Sequence, residues 1–499
     1  MVFSSLLFLF AFLPLTLALY YVVPHNRWRN IVLFVVSLLF YGWGEPVYIL
    51  VMLASIAAAY GFGFLIAKNR LSNRKRARLW MTLSLLTNLS ALLFFKYANF
   101  FIANLRLIPL LSEKLAPIEG LTLPIGISFY TFQIMSYTID LYRGQTEVQR
   151  NFIAFGTYVT LFPQLIAGPI VRYRDVDDQL TGRRETLDLF ASGARRFILG
   201  LAKKILLGDA ASRVYEYAKA AAEFNATALG AWMVMIFYTL HIYYDFAGYS
   251  DMAIGLGRMF GFRFLENFDY PYISKSITEF WRRWHMSLST WFKEYVYIPL
   301  GGNRVGRLKQ YRNIAVVWLL TGFWHGANWN YIIWGVFFGV ILMIEKGFLL
   351  KKLEKLPSVI GHLYALLLIG IGWIIFSHTD IAAGWRCFLA LFGVGTEALS
   401  SPVIRYEFLH ALPLLLIAGI GATPYPKRIW DRLGEHDWIS CGSITPYGEE
   451  RPITEDGLVL SKRGKVVAVL TTVGCVFVFV LCVAYMVDST FSPFLYFIF

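Results

Sequence analysis

Apolar segments follow one another along almost the whole chain, separated by short loops in which Lys and Arg collect. The pattern predicts spanning or deeply buried helices near residues 3–23, 29–43, 46–67, 79–97, 122–141, 153–168, 192–208, 226–247, 313–323, 330–349, 360–377, 404–421 and 466–487. Several fall short of the ~20 residues needed to cross a hydrocarbon core, so re-entrant or tilted pieces covered by neighbours are expected, with about eleven crossings. Long apolar runs with weak alternation argue against an outer-membrane barrel. The expected fold is an all-α polytopic membrane protein, with residues 1–499 forming a single membrane domain.

Basic loops set the expected orientation. No Lys or Arg precedes Arg27, and the first basic turn, His25-Asn-Arg-Trp-Arg29, is expected on the cytoplasmic side with the N-terminus outside. The loop Lys68–Arg78 and the run Glu345–Lys355 return to the same side. Met1–Val23 lacks a cationic start and a small-residue cleavage site, so it is expected to be a first transmembrane helix and not a removed signal peptide. The one long polar stretch, 423–465, is expected to be an exposed cytoplasmic loop with basic residues at both ends.

Composition sharpens this picture. Of 499 residues 57% are hydrophobic and only 16% charged, with mean hydropathy +0.54, against about 25% charged in soluble domains. The net charge of +14 sits in short inter-helix loops, which excludes a nucleic-acid surface as its explanation. Cys387, Cys441, Cys475 and Cys482 form no CxxC pair, so neither a disulfide framework nor a zinc site is expected. No GxSxG elbow, Walker A loop or GxGxxG turn supports a serine hydrolase, an ATPase or a Rossmann enzyme.

The candidate chemistry lies in three places. Thr321-Gly-Phe-Trp-His-Gly-Ala-Asn328 puts His325 at the end of an apolar run, between Gly322 and Gly326, which allow close approach of a backbone or ligand. A histidine at membrane depth is costly. A neutral imidazole there can take the proton of an attacking hydroxyl; the bland alternative is a buried ring bonded to a carbonyl. Trp324 and Asn328 flank it as substrate-binding candidates.

The second place is segment 266–304. Ser276 and Glu279 read as a capping box, opening one helix that Pro299 and Gly301-Gly302 end. On it Trp281, Trp284, His285 and Leu288 share a face. Arg282, Arg283 and Lys293 supply cations, suited to interfacial anchoring or to the phosphates of a nucleotide cofactor. The third is His241-Ile-Tyr-Tyr-Asp245, whose i, i+4 spacing suits a metal pair or a polar relay. With no third ligand at convincing spacing, no metal is expected, and Asp245 and Asp251 are expected to satisfy buried donors or line an aqueous tunnel.

Five blocks resemble the membrane-bound O-acyltransferase family, in its bacterial alginate O-acetyltransferase branch. They are Leu123–Gln133, Phe162–Pro169, Tyr243–Asp251, the segment 266–304 ending in Pro-Leu-Gly-Gly-Asn-Arg, and Leu319–Ala327. Together they place a motif-bearing catalytic core at about 120–345. The resemblance implies a ring of helices with short and re-entrant pieces around a thinned centre and a tunnel, in a bacterial inner membrane. It makes His325 the catalytic histidine and His285 a second one. It implies acetyl-CoA as donor substrate, with no tightly bound cofactor. It also implies a polysaccharide acceptor such as alginate or another cell-envelope glycan, an extracytoplasmic SGNH or esterase-like partner, and membrane lipids around the protein. Arg282, Arg283 and Lys293 would then favour the anionic donor, and Asp245 would line or polarise the tunnel. Two rivals remain: a teichoic acid D-alanyl transferase fed by a carrier protein, and a glycan-lipid transporter or flippase, for which no internal symmetry is visible.

Overall fold

The structure, a computed structural model, describes residues 1–220, 227–434 and 461–488. Helices of seven or more residues, in chain order, are α1 Leu13–Val22, α2 Asn26–Gly42, α3 Ile49–Arg70, α4 Arg74–Leu105, α5 Ile127–Arg143, α6 Phe152–Thr160, α7 Leu187–Ala202, α8 Asp209–Ala220, α9 Ala228–Met259, α10 Ile277–Arg283, α11 Met286–Phe292, α12 Arg307–His325, α13 Trp329–Ile344, α14 Ser358–Ser377, α15 Ile381–Ala390, α16 Pro402–Gly421, α17 Tyr425–Gly434 and α18 Lys462–Asp488. Among the described residues there is no strand, only an isolated bridge between Thr227 and Ala398. The all-helical expectation is met.

Among the described residues six spans are long and apolar enough to cross a membrane: α3, α4, Trp329–Leu353 (which continues α13), α14, α16 and α18. The protein is therefore a multi-pass membrane protein. Other apolar segments make shorter helices, such as α2 and α5 with 17 residues each and α6 with nine. Of these, α5 buries polar groups such as Gln133 and Asp140 against neighbouring helices.

The chain divides into two compact units. The first comprises Met1–Ala194 with Ala253–Leu265. In it α5 is buried on nearly every side, from Ile127 to Leu141, against α3, α4 and α6. Its start depends on Gly126, at φ +74°, where a Cβ would stand 2.5 Å from the Leu165 carbonyl oxygen.

The second unit comprises Arg195–Met252 and the described residues from Glu266 onward. Its tightest pair is α12 and α13, joined by three residues and packed through Gly322 and Gly335. A Cβ on Gly335 would stand 3.1 Å from the Gly322 Cα. Small residues let the two backbones touch. The expected loop 423–465 begins instead as the helix α17, held to α18 by the Trp430 indole N–H donating to Thr471 Oγ1 at 2.9 Å. Residues 435–460 of that stretch, and Cys441 with them, lie outside the described residues.

The single helix expected from Ser276 to Pro299 is broken. It ends at Arg283, and a second short helix, α11, starts at Met286. The hinge residue is His285, at φ +44° and ψ +53°.

Candidate active site

His325 is the last residue of α12 and is only 5% exposed. Rings of Trp324, Trp334 and Phe376 lie with centroids 5.0, 4.9 and 5.3 Å from its own. Gly326 follows, extended, and a Cβ there would collide with the Tyr331 ring. Asn330 in the first turn of α13 donates from Nδ2 to the Phe376 carbonyl at 2.9 Å, tying Phe376 into this wall.

His285 is buried as well, at 1% exposure. A left-handed conformation costs a non-glycine residue on the order of 1–3 kcal/mol and persists where surroundings over-determine it. The surroundings here are the segment 267–269, which inserts into the helix break. The Asp269 N–H donates to the Arg283 carbonyl, and the Met286 N–H to the Asn267 carbonyl, each at 3.0 Å. Asn267 thus takes a donor that would otherwise continue the helix. This is why the capping box start is right but the uninterrupted helix is not: the competing acceptor comes from outside the helix, and local spacing does not show it. Asn267 also orients the imidazole, with Oδ1 3.1 Å from His285 Nδ1. The Phe246 ring packs edge-on at 4.7 Å. His285 sits outside the spanning helices, and its burial favours the neutral imidazole.

Trp324 stands between the two histidines, its ring centroid 6.2 Å from that of His285 and 5.0 Å from that of His325. Further aromatic rings continue the wall: Trp281 lies 5.5 Å from Trp334, and Trp284 lies 4.9 Å from Trp373. The structure therefore brings His325, His285 and Trp324 into one aromatic cluster. Asn328 caps α13 by position, without a side-chain cap bond.

Arg282 and Arg283 line a cleft of about 620 Å³ with Lys275, Ser276, Thr278 and Ser358, among others. Arg283 is committed to Asp269 at 2.7 Å and to Glu279 at 3.0 Å. Lys293 is exposed and is not part of that lining. The helix α10 that walls the cleft is anchored by Glu345, buried at 1% exposure. Its carboxylate accepts from the Ile277 N–H and Thr278 N–H, each at 2.7 Å, from Thr278 Oγ1 at 2.6 Å, and from Tyr364 Oη at 3.1 Å. An acid at a helix N-terminus meets both the free N–H groups and the dipole.

Asp245 is held by Lys204 at 2.7 Å; Lys204 also pairs with Asp209 at 2.6 Å. His241 faces the Gly208 carbonyl at 3.2 Å through Nδ1. Asp251 meets Arg196 at 2.7 Å and Lys203 at 2.6 Å, and Arg196 also pairs with Glu266. Both aspartates satisfy buried donors.

Sequence reasoning missed Asn267, Glu345, Asn330, Lys204 and Arg196. Lys204 and Arg196 carried a usable signal, as cations inside a segment expected at membrane depth. Asn267 and Asn330 carried none, and Glu345 looked like a loop acid at the end of an apolar run.

The family model described as the membrane-bound O-acyltransferase family matches residues 128–350. The probable alginate O-acetylase of Azotobacter vinelandii is 40% identical over 509 aligned positions, covering 100% of both chains. The peptidoglycan O-acetyltransferase of Helicobacter pylori is 33% identical, over 80% of this chain and 81% of its own. The teichoic acid D-alanyltransferase of Streptococcus thermophilus is 32% identical, over 52% and 66% respectively.

Proposed function

This chain belongs to the membrane-bound O-acyltransferase family and is a membrane O-acyltransferase, and on that premise we propose that it moves an acetyl group from cytoplasmic acetyl-CoA to a hydroxyl of an extracytoplasmic polysaccharide. The transfer is direct or passes through an SGNH or esterase-like partner outside the bacterial inner membrane. Alginate, or another envelope glycan, is the acceptor class. The observation that carries this reading is the pair of buried histidines either side of Trp324, beside a helix that walls a cation-bearing cleft.

In this reading His325 takes the proton of the acceptor hydroxyl as its oxygen attacks the thioester carbonyl carbon. The C–O bond forms, the C–S bond breaks, and the proton leaves with coenzyme A as its thiol, so no net proton is left on the enzyme. His285 holds the thioester carbonyl or assists the proton transfer. Arg282 and Arg283, with Lys293 further along, favour the donor's phosphates. Trp324 and Asn328 shape the space around the acetyl group, and Asp245 polarises the interior through its pair with Lys204. The motif-bearing stretch 120–345 is the working part of one membrane domain, with about eleven helices ringed around a tunnel.

The test is release of free coenzyme A from acetyl-CoA by the protein in nanodiscs, wild type against His325→Ala, with and without the extracytoplasmic partner. Loss of release in His325→Ala with normal folded yield is expected; full activity in that variant sinks the assignment. The second reading, D-alanyl transfer from a carrier protein, draws on the teichoic acid relatives. It is favoured if acetyl-CoA is inert with the partner present while a D-alanyl-loaded carrier protein is consumed.

A further inference from the structure

The first unit holds a second cleft, of about 730 Å³, that plays no part in the proposed acyl transfer. It is formed where the start of α2 meets the end of the short helix Asp177–Gly182 and the loop residues after it. Its lining includes Arg27, Arg29, Arg183 and Arg184 against a single acid, Glu185.

The frame of this cleft is fixed. The Asn26 side chain donates to the carbonyls of Thr181 and Arg183 at 2.9 and 3.0 Å, and Asn30 Nδ2 donates to the Leu180 carbonyl at 2.8 Å. Arg29 pairs with Glu185 at 2.5 Å. Arg183, with its side chain fully buried, donates to Asn30 Oδ1 at 2.7 Å and to Tyr20 Oη at 2.9 Å. The one carboxylate is thereby committed. Arg27 and Arg184 are exposed on the rim and make no hydrogen bond or ion pair with any described residue. The first turn of α2 carries no acidic residue to offset them.

Within five positions of these two arginines along the chain stand open apolar side chains: Val22 is 81% exposed, Trp28 57% and Leu187 89%. An exposed tryptophan beside a basic turn is the composition of a membrane–water boundary. The positive-inside rule puts this turn at the cytoplasmic leaflet, where anionic lipids gather. A ligand for this place needs a phosphate anion at one end and hydrocarbon at the other.

We infer that this cleft binds the phosphodiester headgroup of an anionic phospholipid, with Arg27 and Arg184 on the phosphate and the acyl chains against Val22, Trp28 and Leu187. A free phosphate shares the anion chemistry but leaves the apolar rim unused.

The test uses the full chain, purified in detergent and stripped of lipid, then titrated with phosphatidylglycerol and followed by native mass spectrometry. Phosphatidylcholine with the same acyl chains is the neutral control. Wild type should bind phosphatidylglycerol well ahead of phosphatidylcholine. Arg27→Gln with Arg184→Gln should bind it about tenfold or more weakly. Arg27→Lys with Arg184→Lys should keep most of the binding and serves as the folded control. Lys75→Gln with Arg76→Gln, which removes equal charge from exposed positions of α4, should match wild type. Equal binding by the Gln pair and wild type overturns the inference, as does equal binding of phosphatidylcholine. Displacement of the lipid by millimolar inorganic phosphate or by coenzyme A also overturns it, assigning the cleft to a soluble phosphate. Because the readout is lipid binding, it is independent of whether acetyl transfer is the reaction.

Discussion

Asn267 Oδ1 lies 3.1 Å from His285 Nδ1 and also accepts from Ser287, at 3.3 Å from its backbone N–H and 2.9 Å from its hydroxyl. The backbone N–H can only donate, so the amide atom facing it is the oxygen. Its other end, Nδ2, donates to Ser250 Oγ at 3.0 Å. The His285 nitrogen facing that oxygen therefore carries the proton, and Nε2 is left as the accepting nitrogen of the neutral ring. One residue thus sets the tautomer of His285 through its side chain and occupies the first N–H groups of α11, that of Met286 with its backbone carbonyl and that of Ser287 with Oδ1.

Asn267 is accordingly a positioning residue. Asn267→Ala should lower kcat for acyl transfer by about 10- to 100-fold, on the scale of losing the orienting partner of a metal-bound histidine, with KM for the donor little changed. Asn267→Asp keeps the acceptor oxygen and should retain more activity than the alanine variant. Coenzyme A release measured for both decides it; equal losses would mean that the residue only supports the fold.

The close approach of α12 to α13 makes a stability prediction. Gly326→Ala pushes a methyl into the Tyr331 ring, and Gly322→Ala pushes one onto the Tyr331 carbonyl. Each should cost about 1–3 kcal/mol through overpacking and lower the thermal midpoint in detergent. Gly419→Ala in α16, where a Cβ meets nothing within 4 Å, is the matched control and should be neutral or slightly stabilising, since alanine is the better helix former.

Glu345 holds the first turn of α10 from a distant part of the chain. Glu345→Ala leaves buried donors at Ile277 and Thr278 without their acceptor, at about 1–3 kcal/mol for each such group. A large drop in thermal midpoint is expected, with coenzyme A release falling as α10 loosens. Glu345→Gln, which keeps one acceptor oxygen, should fall between alanine and wild type.

The buried Lys204 answers two carboxylates. Lys204→Met strands the buried Asp209 and Asp245 without their cation and should destabilise by about 3–5 kcal/mol. The triple replacement Lys204→Met, Asp209→Asn, Asp245→Asn removes all three charges and should recover much of that loss. A thermal-shift comparison of the two variants separates the cost of the stranded charges from the cost of the altered packing.

Sequence and structure agree where hydrophobic period is the controlling term. The long apolar helices α3, α4, α14 and α18 cover the segments expected from hydropathy, with ends shifted by several residues, because a run of apolar residues can only be helix in lipid. His325 stands out as a candidate for a related reason: few polar residues are tolerated at the end of such a run. The break at His285 was not legible. A capping box and an uninterrupted helical face predicted one helix, and the residue that breaks it, Asn267, lies 18 positions upstream of His285. The cation cluster was half legible, since Arg282 and Arg283 do line a cleft while Lys293 does not.

By itself, then, the chain determined that it enters a membrane as helices and that His325, His285 and Trp324 are its chemical candidates, because hydropathy and rare residue types are properties of local sequence. Only the tertiary structure decided which ring nitrogen of His285 carries the proton, which acid caps α10, and that Asp245 spends its charge on Lys204. Those outcomes depend on hydrogen-bond and ion-pair partners distant along the chain, and buried donors take whichever acceptor the packing brings within about 3 Å.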